Sequence, residues 1–544
     1  MKINFLRTNA GLIGAVLLLA GCGSTTMVST PIENIDTTPL KTSELTEQQR
    51  ETWSHADLQD DTIPGMSVEK AYKELIKDKK GKTVIVAVLD SGMDLKHEDL
   101  DDNIWTNPDE TPGNGKDDDH NGYVDDVHGY NFLGDSYNEE LEYTRILRLH
   151  IGDDALQAKA RKKLDEETAE TTRNKERYAQ ILEAVEAADA AVKAELGKES
   201  YSKQDLINID TDDPELQKQI GVLMQMYNYK DTIPEVLQEL NDGLAYFTDK
   251  LQYHLNPDFN GRKPVGDNPY DINDTGYGNG NPQTTGEDES HATHVAGIIA
   301  AERNNGLGVN GVANNVKLMS IRAVPNGDEY DKDIALGIRY AVDNGASIIN
   351  ASFGKAFSPN KEWVFDAIKY AADHDVLIVH AAGNDGEDLD NPANENYPND
   401  SKDLKTEFAD NVITVGALNP DYGSEMVASF SNYGARNVDI FAPGGDIYST
   451  MPGNEYDFNG GTSMAAPAVA GIAALIRSYF PKLSAAQVKK IILQSGLTTK
   501  SSVIVGGDAD HTASFDSLST SGKMANAYNA LILSSKVAHG KAVL

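Results

Sequence analysis

The stretch GGTSMAAPAVAG, residues 460–471, is the segment around which the rest of the chain is predicted to be organised. Gly460 and Gly461 allow a tight turn that a side chain would block. Pro467 is tolerated near a helix start, and the small residues behind Ser463 let the helix pack closely against a sheet. Ser463 would then lie at a helix N-terminus, where free N–H groups favour a developing anion. Taken alone, the stretch is equally consistent with a core helix that carries an incidental serine.

Three upstream segments carry the other side chains of an acyl-transfer site. The apolar run at residues 84–89 ends at Asp90, and a second run at 376–379 leads to Asn384. Each run is predicted to be a buried strand with a polar side chain at its carboxyl end. His291 precedes a second helix of small residues. The chain order Asp90, His291, Ser463, with Asn384 between the last two, fits one of the known orders of the catalytic triad.

From His291 onward, predicted strands alternate with predicted helices, which indicates a parallel sheet covered on both faces. The four segments resemble the motifs of the subtilisin-like serine peptidases (subtilases), roughly over residues 50–135 and 285–535. The resemblance implies an α/β, three-layer fold with a central, mainly parallel sheet. Two residues depart from the family pattern. Ala292 stands where the family usually has glycine, and His380 stands where it is normally apolar, so we expect His380 to be a packed core residue.

The resemblance also implies where a substrate would bind. In the family, the segments that correspond to residues 326–329 and 352–354 flank an extended peptide and pair with its backbone. The carboxylates of Asp328, Glu329 and Asp331 would then favour basic substrate side chains. The substrate-binding residues implied by the resemblance are Gly327, Ser352, Gly354, Ala382 and Gly383.

A calcium-loop pattern follows the first strand. Residues 117–126, DDDHNGYVDD, match the first half of the D-x-[DN]-x-[DN]-G loop, with Gly122 for the sharp turn. His128 stands where an EF-hand would have its bidentate glutamate, so the pattern does not predict an EF-hand. An acidic turn without an ion is the alternative, and the resemblance favours structural calcium. The predicted ligands are Asp117, Asp119, Asn121, Tyr123 through its carbonyl, and Asp125.

The N-terminus has the pattern of a bacterial lipoprotein. Lys2 and Arg7 precede an apolar run at residues 12–19 that is too short to span a membrane, which predicts a signal peptide over residues 1–21. The sequence LAGC ending at Cys22 resembles the lipobox, in which the cysteine is lipidated; a chance cysteine is the alternative. Residues 22–45 are predicted to be a flexible tether. We expect a protein of the bacterial cell envelope, at the outer membrane or cell surface rather than the cytoplasmic membrane.

Composition and the remaining segments set the domain organisation. With 85 acidic and 48 basic residues, the formal net charge of −37 argues against nucleic-acid binding. A subtilisin-like catalytic domain is predicted over residues 46–137 and 263–535, followed by a tail at 536–544. Residues 138–262 are predicted to form a mainly helical insertion because charged helical patterns and an apolar stripe at residues 236–251 fall within them. The insertion is either decoration that packs on its own core or a lid or partner-docking element.

The sequence therefore predicts a serine endopeptidase that acts on proteins or peptides, is anchored to a membrane and has a monomeric catalytic unit. Two alternatives remain. The first is a catalytically inactive, lipid-anchored binding or scaffold protein, against which the presence of all four site residues argues. The second is a serine esterase, which uses the same chemistry but has no need of peptide-binding strands.

Overall fold

The structure is a computed structural model that describes residues 26–286 and 289–544. The predicted signal peptide and Cys22 lie outside these residues. Each helix in the described part of the chain is too short or too polar to cross a membrane.

A seven-stranded sheet with parallel neighbours throughout forms the centre of the fold, in the order β2-β3-β1-β4-β5-β6-β7. This confirms the predicted α/β fold. Two antiparallel hairpins, β8-β9 and β10-β11, lie outside the sheet. The strands are β1 (Val84–Asp90), β2 (Gly129–Asn131), β3 (Val316–Arg322), β4 (Ile348–Ala351), β5 (Leu377–Ala381), β6 (Val412–Leu418), β7 (Ile440–Pro443), β8 (Ile447–Met451), β9 (Glu455–Asn459), β10 (Ser502–Val505) and β11 (Asp508–Ser514).

The α-helices of the described residues cover the sheet and form the insertion. They are α1 (Glu47–Thr52), α2 (Leu58–Asp61), α3 (Val68–Ala71), α4 (Glu142–Leu149), α5 (Asp154–Leu196), α6 (Lys203–Ile207), α7 (Pro214–Met226), α8 (Ile233–Asp249), α9 (His291–Ala300), α10 (Asp331–Asp343), α11 (Lys361–Asp373), α12 (Thr462–Tyr479), α13 (Ala485–Ser495) and α14 (Ala527–Ala538).

Two apolar cores sandwich the sheet because successive strand residues point to opposite faces. In β1, Val86 and Val88 belong to the core that contains α9 and α12, whereas Ala87 and Leu89 belong to the core that contains α10 and α11. Strands β1, β4 and β5 run in one direction, so the residues that follow them emerge at one edge of the sheet. That edge carries the candidate active site.

Helices α4 to α8 fall within residues 138–262. The 43-residue helix α5 packs against α7 and α8, and their contacts form an apolar core of their own around Val185, Val192 and Leu223. At the other end of α5, a second small core joins α4 to Phe357, which follows β4. The insertion therefore has its own interior and is also packed onto the sheet domain at its first helix.

The segment at residues 27–36 differs from the predicted tether. Met27, Ile32 and Ile35 are buried in the main core, and the backbone of Ile32 exchanges hydrogen bonds of 2.8 and 2.9 Å with the side chain of Asn529 in α14. Full burial of one such aliphatic side chain contributes about 1.5–3 kcal/mol. The Ser, Thr and Pro content of this segment predicts a tether. Its three apolar residues nevertheless pack into the main core beside α14.

Candidate active site

Asp90 and His291 meet at the carboxyl edge of the sheet. Asp90 is the last residue of β1, and its Oδ1 lies 2.8 Å from His291 Nδ1. The same oxygen accepts a hydrogen bond of 2.7 Å from the backbone N–H of Ser91. The Asp90 backbone carbonyl accepts hydrogen bonds from Ala323 and Val324, which follow the neighbouring strand β3. The carboxylate is therefore fixed by the sheet itself, and His291 is held by its Nδ1 atom.

The pKa of His291 is raised above its ordinary value of 6.5. Burial of the imidazole lowers its pKa, but the negative charge of Asp90 and the hydrogen bond between the two side chains outweigh burial. The imidazolium form is therefore stabilised, and the neutral form that can accept a proton predominates only above this raised pKa.

Ser463 is the second residue of α12, and α12 packs against α9, which begins at His291. Two hydrogen bonds tie Ser463 to Ser352, which follows β4. Ser463 Oγ donates to the Ser352 carbonyl at 3.1 Å, and Ser352 Oγ donates to the Ser463 carbonyl at 2.8 Å. No hydrogen bond joins Ser463 to His291 in the described residues. In unliganded sites, the hydrogen bond between nucleophile and base is often long and tightens when substrate binds.

Asn384 lies beside the N-terminus of α12. Its Oδ1 accepts hydrogen bonds from the backbone N–H of Thr462 at 2.8 Å and from Thr462 Oγ1 at 3.0 Å. A Cβ atom added at Gly461 would lie 3.5 Å from Asn384 Nδ2 and 3.6 Å from the backbone nitrogen of Ser463. These two N–H donors therefore border the same small space, which glycine keeps open.

The loop that carries Asn384 is held by residues that sequence reasoning missed. The Ala382 carbonyl accepts hydrogen bonds of 2.9 Å from Asn396 and Asn432, and the Gly383 N–H donates to Thr462 Oγ1 at 3.0 Å. Thr462 thus serves Gly383 and Asn384 at once. Its position next to Ser463 was the available signal, but the contact itself depends on the three-dimensional fold. Substrate binding by Ala382 and Gly383 stays a prediction.

His380 is a buried residue of β5, in agreement with its expected core role. Its Nε2 bonds the carbonyl of Phe353 at 2.8 Å, and burial lowers its pKa to about 4. The ring is therefore neutral at ordinary pH and holds the strand that follows β4. Ala292 is also buried in the main core, so the fold accommodates its Cβ atom where the family usually has glycine.

The acidic groups near the expected substrate strand contact other parts of the chain. Asp328 accepts a hydrogen bond of 2.7 Å from the backbone N–H of Glu142, and Asp331 forms a buried ion pair of 2.9 Å with Lys355. Burial raises the pKa of Glu329. These contacts argue against selection of basic side chains by the three carboxylates, because Glu329 and Asp331 are buried and Asp328 is bonded within the chain.

The predicted calcium loop closes on itself. The Asp117 carboxylate accepts hydrogen bonds from the backbone N–H groups of Asn121 and Gly122. Asn121 Oδ1 accepts a hydrogen bond from the backbone N–H of Tyr123. Asp125 accepts from the N–H groups at residues 114 and 115. Of the five predicted ligands, Asp119 alone belongs to a group of acidic side chains whose oxygen atoms lie close enough together to hold a metal ion.

That group consists of Glu110, Asp119 and Asp126, whose ligand atoms lie within 4.8 Å of one another. Glu110 Oε2 is buried without a hydrogen-bond partner in the described residues. Burial raises the pKa values of Glu110 and Asp126, and the neighbouring negative charges raise them further. Three gathered carboxylates with an unpaired buried oxygen fit a hard divalent cation such as Ca²⁺.

Comparisons with known proteins identify the family of the chain. A family model described as the Subtilase family matches residues 81–514. The chain is 40% identical over 226 residues to a thermophilic serine proteinase from Bacillus sp. (strain AK1), which covers 41% of this chain and 49% of that protein. It is also 40% identical over 207 residues to subtilisin DY from Bacillus licheniformis. That match covers 37% of this chain and 67% of subtilisin DY.

Solved structures include a more distant match. Proteases from Pseudoalteromonas arctica PAMC 21717 match with 30% sequence identity and a TM-score of 0.36, covering 45% of this chain and 70% of the other. The chain spans 49% of the Bacillus sp. proteinase and 23% of a cell wall-associated protease from Bacillus subtilis (strain 168).

Asp90→Asn is expected to lower the pKa of His291. The substitution removes the negative charge that outweighs burial, so burial alone would then act on the ring. The measurement is an NMR titration of the protein labelled with ¹⁵N-histidine, with the His291 signals assigned from a His291→Gln variant. Asp94→Asn serves as a matched control. An unchanged His291 pKa in Asp90→Asn would contradict the proposed coupling.

Proposed function

Because the chain belongs to the subtilase family, we propose that it is a serine endopeptidase that hydrolyses peptide bonds through an acyl-enzyme intermediate. The observation that carries this proposal is the 2.8 Å contact between Asp90 and His291 at the sheet edge where α12 presents Ser463. Proteins and peptides are the proposed substrates.

In the proposed mechanism, Ser463 Oγ attacks the carbonyl carbon of the scissile bond. A serine hydroxyl is a weak nucleophile at neutral pH, so His291 accepts its proton and later donates it to the leaving amine. Asp90 fixes the imidazole with its proton on Nδ1 and stabilises the imidazolium that forms. Substrate binding would release Ser463 Oγ from the Ser352 carbonyl and turn it toward His291.

The tetrahedral intermediate carries a negative oxygen that needs donors. The Ser463 backbone N–H and Asn384 Nδ2 border one space, and both lack a hydrogen-bond partner in the described residues. Because Thr462 bonds the Asn384 oxygen, the NH₂ end of that amide is the end left for the oxyanion. Donors fixed before the reaction stabilise developing charge without reorganisation at the moment of bond formation.

Two substitutions test the mechanism. Ser463→Ala should lower kcat by about 10⁶-fold with the fold retained, and Asn384→Ala should lower kcat by about 10²–10³-fold with KM little changed; both factors were measured in subtilisin, a relative of this chain. Steady-state kinetics on a peptide substrate give the values, and circular dichroism reports the fold. An exposed amide elsewhere, changed in Asn241→Ala, is the control.

A labelling experiment with the same Ser463→Ala variant distinguishes the peptidase from the inactive binding protein and the esterase. A fluorophosphonate probe should label the wild-type protein at Ser463 and leave Ser463→Ala unlabelled. No labelling and no hydrolysis would favour the inactive binding protein, and hydrolysis of small esters without hydrolysis of any peptide would favour the esterase.

We further propose that the protein binds structural calcium at Glu110, Asp119 and Asp126. The support is the gathered carboxylates and the unpaired buried Glu110 oxygen. The ion would neutralise like charges that otherwise repel one another next to β2. In the described residues, no hydrogen bond or ion pair joins these three carboxylates to Asp90, His291 or Ser463, so we expect the ion to contribute to stability and not to a chemical step.

Calcium should raise the melting temperature, because a ligand at 100 times its Kd stabilises the native state by about 2.7 kcal/mol. Differential scanning calorimetry with calcium and with EDTA measures the shift, which Glu110→Gln should abolish. Glu186→Gln, which changes an exposed glutamate of α5, is the control. A shift abolished by Asp117→Asn and retained in Glu110→Gln would instead support the ligand set that the loop pattern predicts.

We also propose that Cys22 is lipidated and anchors the protein in the bacterial cell envelope, at the outer membrane or cell surface. The support is the charged, apolar and LAGC sequence at residues 1–22, which contains the single cysteine of the chain. More than one acyl chain is needed for stable anchoring.

Cys22→Ala should therefore move the protein from the membrane fraction to the soluble fraction. The measurements are fractionation of cells of a bacterium that processes lipoproteins and metabolic labelling with an alkyne fatty acid. Ser24→Ala is the matched control. Membrane association that persists without label in Cys22→Ala would contradict lipid anchoring.

A further inference from the structure

The start of the insertion pairs with the segment at residues 326–329. The Asn326 N–H donates to the Tyr137 carbonyl, and the Asn326 carbonyl accepts from the Glu139 N–H, both at 2.9 Å. The Asn326 side chain adds a hydrogen bond of 2.7 Å to Asn138. We call residues 137–145 the wall segment. It borders the strand that the family resemblance places beside the substrate.

The wall segment does not pair with Gly327, the residue that follows Asn326. Neither the N–H nor the carbonyl of Gly327 has a hydrogen-bond partner in the described residues. Gly327 has a φ of 139°, which glycine adopts without strain, and the hydrogen bonds of Asn326 to the wall segment do not continue to it. A Cβ at Gly327 would lie 2.3 Å from the Glu139 carbonyl oxygen, so the close approach of the wall segment requires glycine.

Beyond Gly327, the strand is closed by cations. The Glu329 carbonyl accepts hydrogen bonds from Arg145 at 3.0 Å and from Lys355 at 2.7 Å. Lys355 follows Gly354, so its side chain bridges the gap between the two strands that would flank a substrate. Ser352 contacts Ser463, which places this bridge at the end of the gap far from the nucleophile.

The bridge is buried and held by several partners. Arg145 is fully buried, with its guanidinium carbon 3.9 Å from the ring centroid of Tyr330. Glu142 forms ion pairs with Arg145 at 2.5 Å and with Lys355 at 2.8 Å. Displacing either cation would break a buried ion pair of Glu142, so an incoming peptide does not open this end easily.

The segment at residues 352–354, on the other side of the gap, also contains a residue with free backbone groups. Gly354 is exposed, and neither its N–H nor its carbonyl has a hydrogen-bond partner in the described residues. The neighbouring Phe353 carbonyl is bonded by His380. A peptide between the strands therefore meets free backbone groups at Gly327 on one side and Gly354 on the other.

We propose that the wall segment and the Lys355 bridge limit backbone recognition of substrate on the acyl side to three residues. Counted from the scissile bond, the first and third residues face the strand at 352–354, and the second faces Gly327, because successive residues face opposite neighbours. The fourth would face Glu329, whose carbonyl is already occupied. This inference rests on the proposed peptidase function.

The test uses the intact protein and a fluorogenic peptide with five residues on the acyl side. The backbone N–H of the second, third, fourth or fifth residue is replaced in turn by N–CH₃, and kcat/KM is measured for each peptide. Methylation at the second or third residue should lower kcat/KM by about 3- to 10-fold, the effect of one lost hydrogen bond. The fourth should resemble the fifth, which serves as the control for the methyl group itself.

A second measurement varies length. Peptides with one to five acyl-side residues should gain in kcat/KM up to the third residue and little thereafter. A loss at the fourth amide as large as at the second, together with a gain from the fourth residue, would overturn the three-residue limit alone. Absence of hydrolysis of the parent peptide and of labelling by fluorophosphonate would overturn the proposed peptidase function, and this inference with it.

Discussion

The hydrogen bond between Asp90 and His291 joins two residues that are 201 positions apart in the chain. It can form only because β1 lies in the interior of the parallel sheet and α9 returns to the edge where β1 ends. Burial alone would favour a neutral imidazole with a low pKa. The fixed carboxylate reverses that preference and selects the Nδ1 tautomer, which leaves Nε2 as the atom that can accept a proton.

The carboxyl edge of the sheet also positions Ser463 and Asn384. Ser352 and Ser463 exchange two hydrogen bonds, which join the end of β4 to the start of α12. Thr462 bonds the Asn384 oxygen and so leaves the NH₂ end of that amide toward the space beside Gly461. Neighbouring residues at the helix start thus carry separate tasks: Gly461 leaves space, Thr462 orients the amide and Ser463 presents its hydroxyl.

Much of this arrangement could be predicted from local sequence. An apolar run that ends at Asp90 has one simple explanation in an α/β fold, and the family motifs located His291, Asn384 and Ser463. Pairings between distant segments left no local signal, as with the wall segment at Asn326. The acidic group includes Glu110, which lies outside the calcium-loop pattern. At residues 27–36, isolated apolar residues have no helical or strand periodicity, so their burial against α14 could not be predicted from composition.

The packed segment at residues 27–36 also determines how far a lipid at Cys22 would hold the catalytic body from the bilayer. Met27 is already buried against the domain, so the spacer is about five residues, which reach at most about 18 Å when fully extended. With so short a spacer, the catalytic domain would stay close to the membrane surface. Polypeptides that emerge at, or lie along, that surface would meet the site far more often than proteins free in the surrounding fluid.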